Sequence, residues 1–204
     1  MIPMKRFTIL LLFFMPLVLD AQVVDFAKTL PERSFSVGIT PSYHLDNNNI
    51  GLRSIGVSPG ENGSLGIGLS AGYGLLYSLD LGVKYMYLLN GLDYFGVNLQ
   101  YLIHEARRSY FSVIGGLHRW DGFGIDLTGL FTYAPNYAIN ISGGLDLDLD
   151  YDTDMDSNIR TRFWFPINIG FNVNDLTFLY AEVNVQVSQL SWSIVAVGAN
   201  FIFR

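Results

Sequence analysis

From Ser34 to the end of the chain, apolar residues alternate with small or polar ones. Phe35, Val37, Ile39, Pro41 and Tyr43 are interleaved with Ser34, Ser36, Gly38, Thr40 and Ser42. Leu65, Ile67, Leu69, Ala71, Tyr73 and Leu75 repeat the pattern, with Gly66, Gly68, Ser70, Gly72 and Gly74 between them. A strand sends successive side chains to opposite faces, and no helical period accounts for these runs. Ten runs follow this rule, near 34–43, 65–75, 78–88, 93–103, 109–118, 125–134, 137–149, 160–172, 176–187 and 191–203. Most are about twice the usual strand of five or six residues. They match the roughly 9–11 residues that a tilted strand needs to cross a membrane.

The two faces differ in kind. Odd positions carry Val83, Tyr85, Tyr87, Phe95, Val97, Leu99, Phe163, Phe165, Ile167 and Ile169, whereas even positions carry Asp80, Lys84, Asn98, Gln100, Asp126, Asn168, Glu182 and Asn184. Period two fits a soluble barrel with its polar face outside and equally a membrane barrel with the faces inverted. Three features favour inversion. The polar face is rich in Gly, Ser and Asn, and poor in the Lys and Glu that a water-facing surface carries. Tyr and Trp gather near run ends, as at Tyr43, Tyr73, Tyr77, Tyr87, Tyr101, Tyr110, Tyr133, Tyr137 and Trp192, where interfacial girdles belong. The connections alternate, with long polar loops at 44–64 and 150–159 and short turns at 76–77, 104–108, 135–136 and 173–175. The pattern therefore predicts an all-β fold, a single closed antiparallel transmembrane barrel of about ten strands, with eight the alternative count.

The N-terminus reads as an export signal. Lys5 and Arg6 precede the apolar run Phe7–Leu19, and Leu19-Asp20-Ala21 ends in a small residue. Thirteen helical residues rise only about 20 Å, short of a hydrocarbon core of about 30 Å. We expect residues 1–21 to be a signal peptide, 22–33 a periplasmic N-terminal tail and 34–204 the barrel. Whether the 22–33 segment hangs free or enters the lumen is left open by the sequence. Export through the periplasm to the outer membrane follows as the expected localisation.

Composition narrows the chemistry. The chain of 204 residues is 50% hydrophobic and only 15% charged, which leaves ample apolar surface to bury and excludes disorder. Twelve basic against eighteen acidic residues give a net charge of −6, the wrong sign for nucleic acid. The absence of Cys excludes disulfides, thiolate metal sites and a catalytic thiol.

The last strand, Gly198-Ala-Asn-Phe201-Ile-Phe203-Arg204, resembles the C-terminal barrel-assembly signal of Gram-negative outer-membrane β-barrel proteins, a Gly followed by alternating aromatics. Arg204 after the last aromatic departs from that pattern. A signal ending Ala21-Gln22 is common in the Bacteroidota type of this class. The resemblance covers residues 34–204. It implies the barrel-assembly machinery, outer-membrane lipids and lipopolysaccharide as partners, and names no activity.

A barrel of this width lies just above the size that interior side chains fill. Large inward residues such as Tyr94, Tyr110, Trp164, Phe178 and Tyr180 are expected to occupy the space left by inward glycines. Inward charges are expected to pair, since an isolated one in a partly dry lumen is costly. Asp146 and Asp148 face the hairpin partner carrying Arg160 and Arg162, and Asp80, Lys84, Asp126 and Glu182 extend the network into a ring. Asp150, Asp152, Asp154 and Asp156 form an acidic stretch at the outer mouth that would hold cations loosely. The stretch lacks the Gly and Glu of a calcium loop, with Ser157 and Phe163 in their places.

Enzymatic readings find little to stand on. Of the three histidines, His104 falls in a short turn, while His44 and His118 lie at outer strand ends with Asp46 and Asp121 nearby. No nucleophile is marked beside either, although a His–Asp pair can orient a general base. The expectation is a barrel with a mostly filled polar lumen, a structural or surface-interaction role, and neither catalysis nor cofactor. The alternatives are a narrow passive pore for small solutes, and a lipid-modifying enzyme using rim His44 or His118.

Overall fold

The computed structural model describes residues 26–46, 63–89, 93–120, 122–151, 159–186 and 192–204. The expected signal peptide lies outside them. Ten strands follow one another: β1 (Phe35–Asp46), β2 (Gly63–Leu76), β3 (Leu79–Leu88), β4 (Asp93–Ala106), β5 (Ser109–Trp120), β6 (Gly122–Tyr133), β7 (Ile139–Tyr151), β8 (Ile159–Asn174), β9 (Thr177–Gln186) and β10 (Trp192–Phe203). Each pairs antiparallel with its sequence neighbours, and β1 pairs with β10 to close the barrel. Closure leaves no edge strand with unpaired backbone groups, which a lipid environment would not tolerate.

The ends of the barrel differ. The connections 77–78, 107–108, 134–138 and 175–176 share one end with Phe35 and Phe203, here named the turn end. β1 ends and β2 begins, and β7 ends and β8 begins, at the opposite end, here named the loop end. Connections there are not uniformly long, because β5 stops at Trp120 and β6 resumes at Gly122.

Even residues face the lumen on every strand, and the ladders keep even opposite even for most of their length. The register shifts at Gly74/Leu76, Leu102/His104 and Asn172/Asn174 all fall near the turn end. The inversion of faces is direct: Ile167 is 58% exposed, while its neighbour Asn168 is 2% exposed. Leu65, Phe95, Leu99, Leu117, Ile125, Leu127 and Val197 join Ile167 in an exposed apolar belt. Tyr73, Tyr77, Tyr101, Tyr133 and Tyr137 are exposed towards the turn end, and Tyr87 and Tyr151 towards the loop end. Tyr110 departs from the expected girdle. Its even position turns it into the lumen, where it packs against buried Ala27, Ile114 and Leu130.

Two prolines interrupt the ladders without a bulge. The β7–β8 register runs from Gly143↔Ile167 to Asp146↔Trp164, skipping the positions of Pro166 and Phe165. The β1–β10 register similarly runs from Ile39↔Ala199 to Ser42↔Ala196, skipping Pro41. Proline has no N–H to donate, so pairing lapses on the side its nitrogen faces. On the other side, Pro166↔Asn184 and Pro41↔Ile67 remain paired.

Candidate functional site

Large inward side chains lie over glycines of neighbouring strands, as the alternation predicts. A Cβ on Gly66 would meet Leu88 at 2.9 Å and Met86 at 3.3 Å. Tyr180 occupies the corresponding space at Gly198, and Asn98 that at Gly82. Met86, Leu88, Tyr94, Tyr180 and Ala196 form one buried cluster inside the barrel, joined by Phe26 and Phe178. The lumen is therefore packed across part of its section by apolar and aromatic groups.

At the loop end the wall supplies a polar network. His118 donates from Nδ1 to Asp126 Oδ2 (3.2 Å) and from Nε2 to Asp150 Oδ1 (3.0 Å). Two carboxylate acceptors, one at each nitrogen, match the imidazolium form of the ring. The ring stacks on Tyr94, with centroids 5.5 Å apart. Arg162 Nε reaches Asp150 Oδ2 at 3.3 Å. Trp164 Nε1 donates to Asp148 Oδ2 at 2.7 Å, and Thr128 Oγ1 to Asp146 Oδ1 at 2.7 Å. The register explains the gathering, because Asp126 opposes Asp148, Gly124 opposes Asp150, and Asp148 opposes Arg162. Asp126 Oδ1 and Asp148 Oδ1 stay buried without a protein partner.

The predicted site residues divide between two levels instead of forming one ring. Asp80 and Lys84 line a cavity towards the turn end, whereas Asp126, Asp146, Asp148 and Arg162 join the loop-end network. Glu182 is buried on β9 and accepts a hydrogen bond from Asn184 Nδ2. Asp150 was expected in the acidic mouth loop. As an even residue near the end of β7 it points inward instead, held by His118 and Arg162. Asp152, Asp154 and Asp156 lie outside the described residues, as does the side chain of Arg160. Among the described residues no three His, Asp or Glu groups converge as metal ligands. Phe201 and Phe203 of the expected assembly signal are exposed on the outer face, and Gly198 faces inward against Tyr180.

The histidines take up definite places. His118 has both nitrogens engaged by carboxylates, leaving neither for a substrate. His44 is fully buried, with Nε2 3.2 Å from Ser42 Oγ, and its Nδ1 has no partner. Among the described residues no acid meets this ring to orient it. The hub role of His118 escapes a reading based on sequence neighbours. Parity carries the signal, since 118, 126 and 150 are all even and lie on consecutive strands.

At the turn end the lumen holds chain from outside the wall. Of the segment expected as an N-terminal tail, residues 26–33 are described; 26–30 run inside the barrel, and Pro31, Glu32 and Arg33 are exposed where the chain turns into β1. Ala27 is fully buried and its N–H donates to Thr132 Oγ1 at 2.8 Å. Gln100 Nε2 donates to the Phe26 carbonyl (2.6 Å), and the Leu30 N–H to Asp80 Oδ2 (2.6 Å). Thr29 Oγ1 donates to the Tyr77 carbonyl (2.8 Å). Phe26 packs edge-on against Phe178 at 4.6 Å between centroids, and Lys28 Nζ stands 5.7 Å from the Tyr110 ring centre. Glycines make room, because a Cβ on Gly72 would meet Leu30 at 3.0 Å and one on Gly170 would meet Phe26 at 2.8 Å.

The segment leans towards β5 and β6, leaving a cavity of about 280 Å³ on the opposite side. Lys28, Lys84, Asn98, Asn172, Phe178 and Asn200 are among the groups that line it.

No family model and no curated protein matches the sequence. Solved structures do match in fold. An outer-membrane channel from Pseudomonas putida F1 superposes with a TM-score of 0.55 at 10% identity, covering 90% of this chain and 100% of that one. The outer-membrane protease OmpT from Escherichia coli superposes with a TM-score of 0.50 at 9% identity, covering 87% of this chain and 100% of that one. At such identities the likeness concerns fold alone. With the apolar belt outside and the polar network within, the chain has the fold of a Gram-negative outer-membrane β-barrel.

Proposed function

We propose that the protein is an integral outer-membrane barrel whose lumen is closed at rest, with a structural or surface-interaction role and no catalysis. Its turn end faces the periplasm and its loop end the exterior. The observation that carries this reading is the seating of residues 26–30 inside the turn end, tied to the wall by four hydrogen bonds. The exposed apolar belt supports outer-membrane lipids as its surroundings, and the loop end supports lipopolysaccharide or a surface partner as its contact. Phe201 and Phe203, outward on β10, support recognition by the barrel-assembly machinery. The Ala21-Gln22 end of the signal supports a Bacteroidota-type origin. The engagement of both His118 nitrogens by carboxylates supports the non-catalytic reading.

Planar-bilayer recording of the refolded full chain tests the closed lumen. The expected result is a membrane without steady single-channel steps. Clean steps that Lys84→Ala or Arg162→Ala abolishes would replace this reading with the narrow pore. An altered lipid profile on expression, lost in His44→Ala or His118→Ala, would instead restore the enzyme.

A further inference from the structure

The turn-end cavity is polar in a particular way. Its wall on the β1–β4 side is floored by glycine, and carboxamides hang over that floor. The Asn200 side chain and Ser70 Oγ both occupy the space above Gly38, and Asn98 occupies that above Gly82. Asn200 Oδ1 is buried yet has no protein partner. Carboxamides offer a donor and an acceptor from one planar end, which is the pairing that adjacent hydroxyl groups present. Phe178, with Phe26 set edge-on against it, adds an aromatic face beside these groups.

Acidic and basic groups both line the cavity. Asp80 already accepts from the Leu30 N–H, and Asp175 accepts from the Tyr137 hydroxyl. Lys28 is exposed to the cavity and its ammonium meets the Tyr110 ring at 5.7 Å. Lys84 lines the same space from β3. At about 280 Å³ the cavity lies at the small end of ligand sites, with convergent polar groups of the kind that fix a ligand's orientation.

We propose that this cavity binds a small polyhydroxylated anion, a monosaccharide-sized polyol carrying one carboxylate or phosphate. Asn98, Asn200 and Ser70 engage its hydroxyls, and Lys28 engages its charge. Since residues 26–31 form one wall, the ligand lies between the inserted segment and the barrel and helps hold the segment in place. Binding does not require the lumen to be closed at the loop end, so this proposal and the conductance reading can fail separately.

The test is titration calorimetry on the refolded full chain in detergent with glucuronate, glucose 6-phosphate and glucose. Heat-modifiable migration on gels verifies folding of every variant. The expected result is saturable binding of at least one anion, with the preferred anion distinguishing carboxylate from phosphate. Glucose is expected to bind at least about tenfold more weakly, a difference of about 1.4 kcal/mol. Lys28→Met should bring the anion down to the level of glucose, and Asn200→Leu, which fills the recess, should remove binding of all three. Absence of saturable binding by both anions to the folded protein would overturn the proposal. So would affinities unchanged by Lys28→Met and Asn200→Leu, and glucose binding as tightly as the anions would overturn its anionic class.

Discussion

At the loop end the lumen is filled by side chains of the wall itself, Asp126, Asp146, Asp148, Asp150, Arg162 and Trp164 around His118. At the turn end it is filled by backbone brought in from outside the wall, residues 26–30. The two solutions carry different obligations. Buried charges must satisfy one another, and removal of one leaves its partners stranded in a dry interior. Buried backbone must find a partner for each N–H and C=O, and here Gln100, Thr132 and Asp80 supply what a neighbouring strand would have given. The single inserted segment is also narrower than the bore it occupies, so it leaves a cavity beside it.

The largest effect expected from this contrast is at His118. His118→Leu leaves Asp126 and Asp150 buried without their shared donor, at a cost of about 3–5 kcal/mol. Urea unfolding of the refolded barrel in detergent measures it, and adding Asp126→Asn should return part of the loss, while Asp150 keeps Arg162 as its partner. A loss below about 1 kcal/mol would mean that water reaches the network and that it behaves as a surface pair.

The turn end should respond differently. Ala27 is fully buried, so Ala27→Trp overpacks the segment by about 1–3 kcal/mol and should expel it without unfolding the barrel. Cleavage by trypsin after Lys28 is then expected to rise about tenfold or more. Steady single-channel steps in a planar bilayer are expected to accompany the cleavage, because the seated segment is what closes the turn end. A silent membrane would show that side chains of the wall close the lumen without the segment.

The wall was readable from the sequence because a period of two survives on every strand. Odd residues met lipid-facing surroundings and even residues met one another, so the inward positions of Asp80, Lys84, Asp126 and Glu182 followed. Their grouping did not follow, since it depends on register and strand tilt. Those bring Arg162 to Asp150 and His118 between two carboxylates on other strands. The insertion of residues 26–30 was less legible still. Phe26-Ala27-Lys28-Thr29-Leu30 has no strong pattern, and its partners Thr132, Gln100 and Asp80 are scattered along the chain. Inward glycines at 72, 74 and 170 were the one trace, and they also serve the packing of the wall.

Smaller effects separate wall from inserted segment by their backbones. Pro166→Ala supplies the N–H that position 166 lacks towards Gly144. The new hydrogen bond is worth about 1 kcal/mol, and the freer unfolded chain takes back about 0.4–1 kcal/mol. Net stability should move by well under about 1 kcal/mol. Hydrogen exchange is the better measurement: the amide at 166 should be protected as slowly as its neighbours on β8, and fast exchange there would mean the strands stay parted.

The smallest effect is expected where the segment joins the wall. Arg33 adopts φ 62°, in the left-handed region, as the chain turns from the segment into β1. Ser34 N–H bonds to the Pro31 carbonyl at 3.0 Å, and Arg33 N–H to the Gly74 carbonyl at 2.7 Å, so the turn is held at both sides. A side chain in that conformation costs about 1–2 kcal/mol, while glycine gives back about 0.5–1 kcal/mol through a looser unfolded state. The exposed contact of Arg33 with Glu32, at 3.5 Å, contributes little to set against this. Arg33→Gly should therefore raise the unfolding free energy by about 0.5 kcal/mol, with Lys28 no more open to trypsin than before. A loss of stability together with faster cleavage at Lys28 would show that the arginine side chain, and not the turn it occupies, pins the segment inside the barrel.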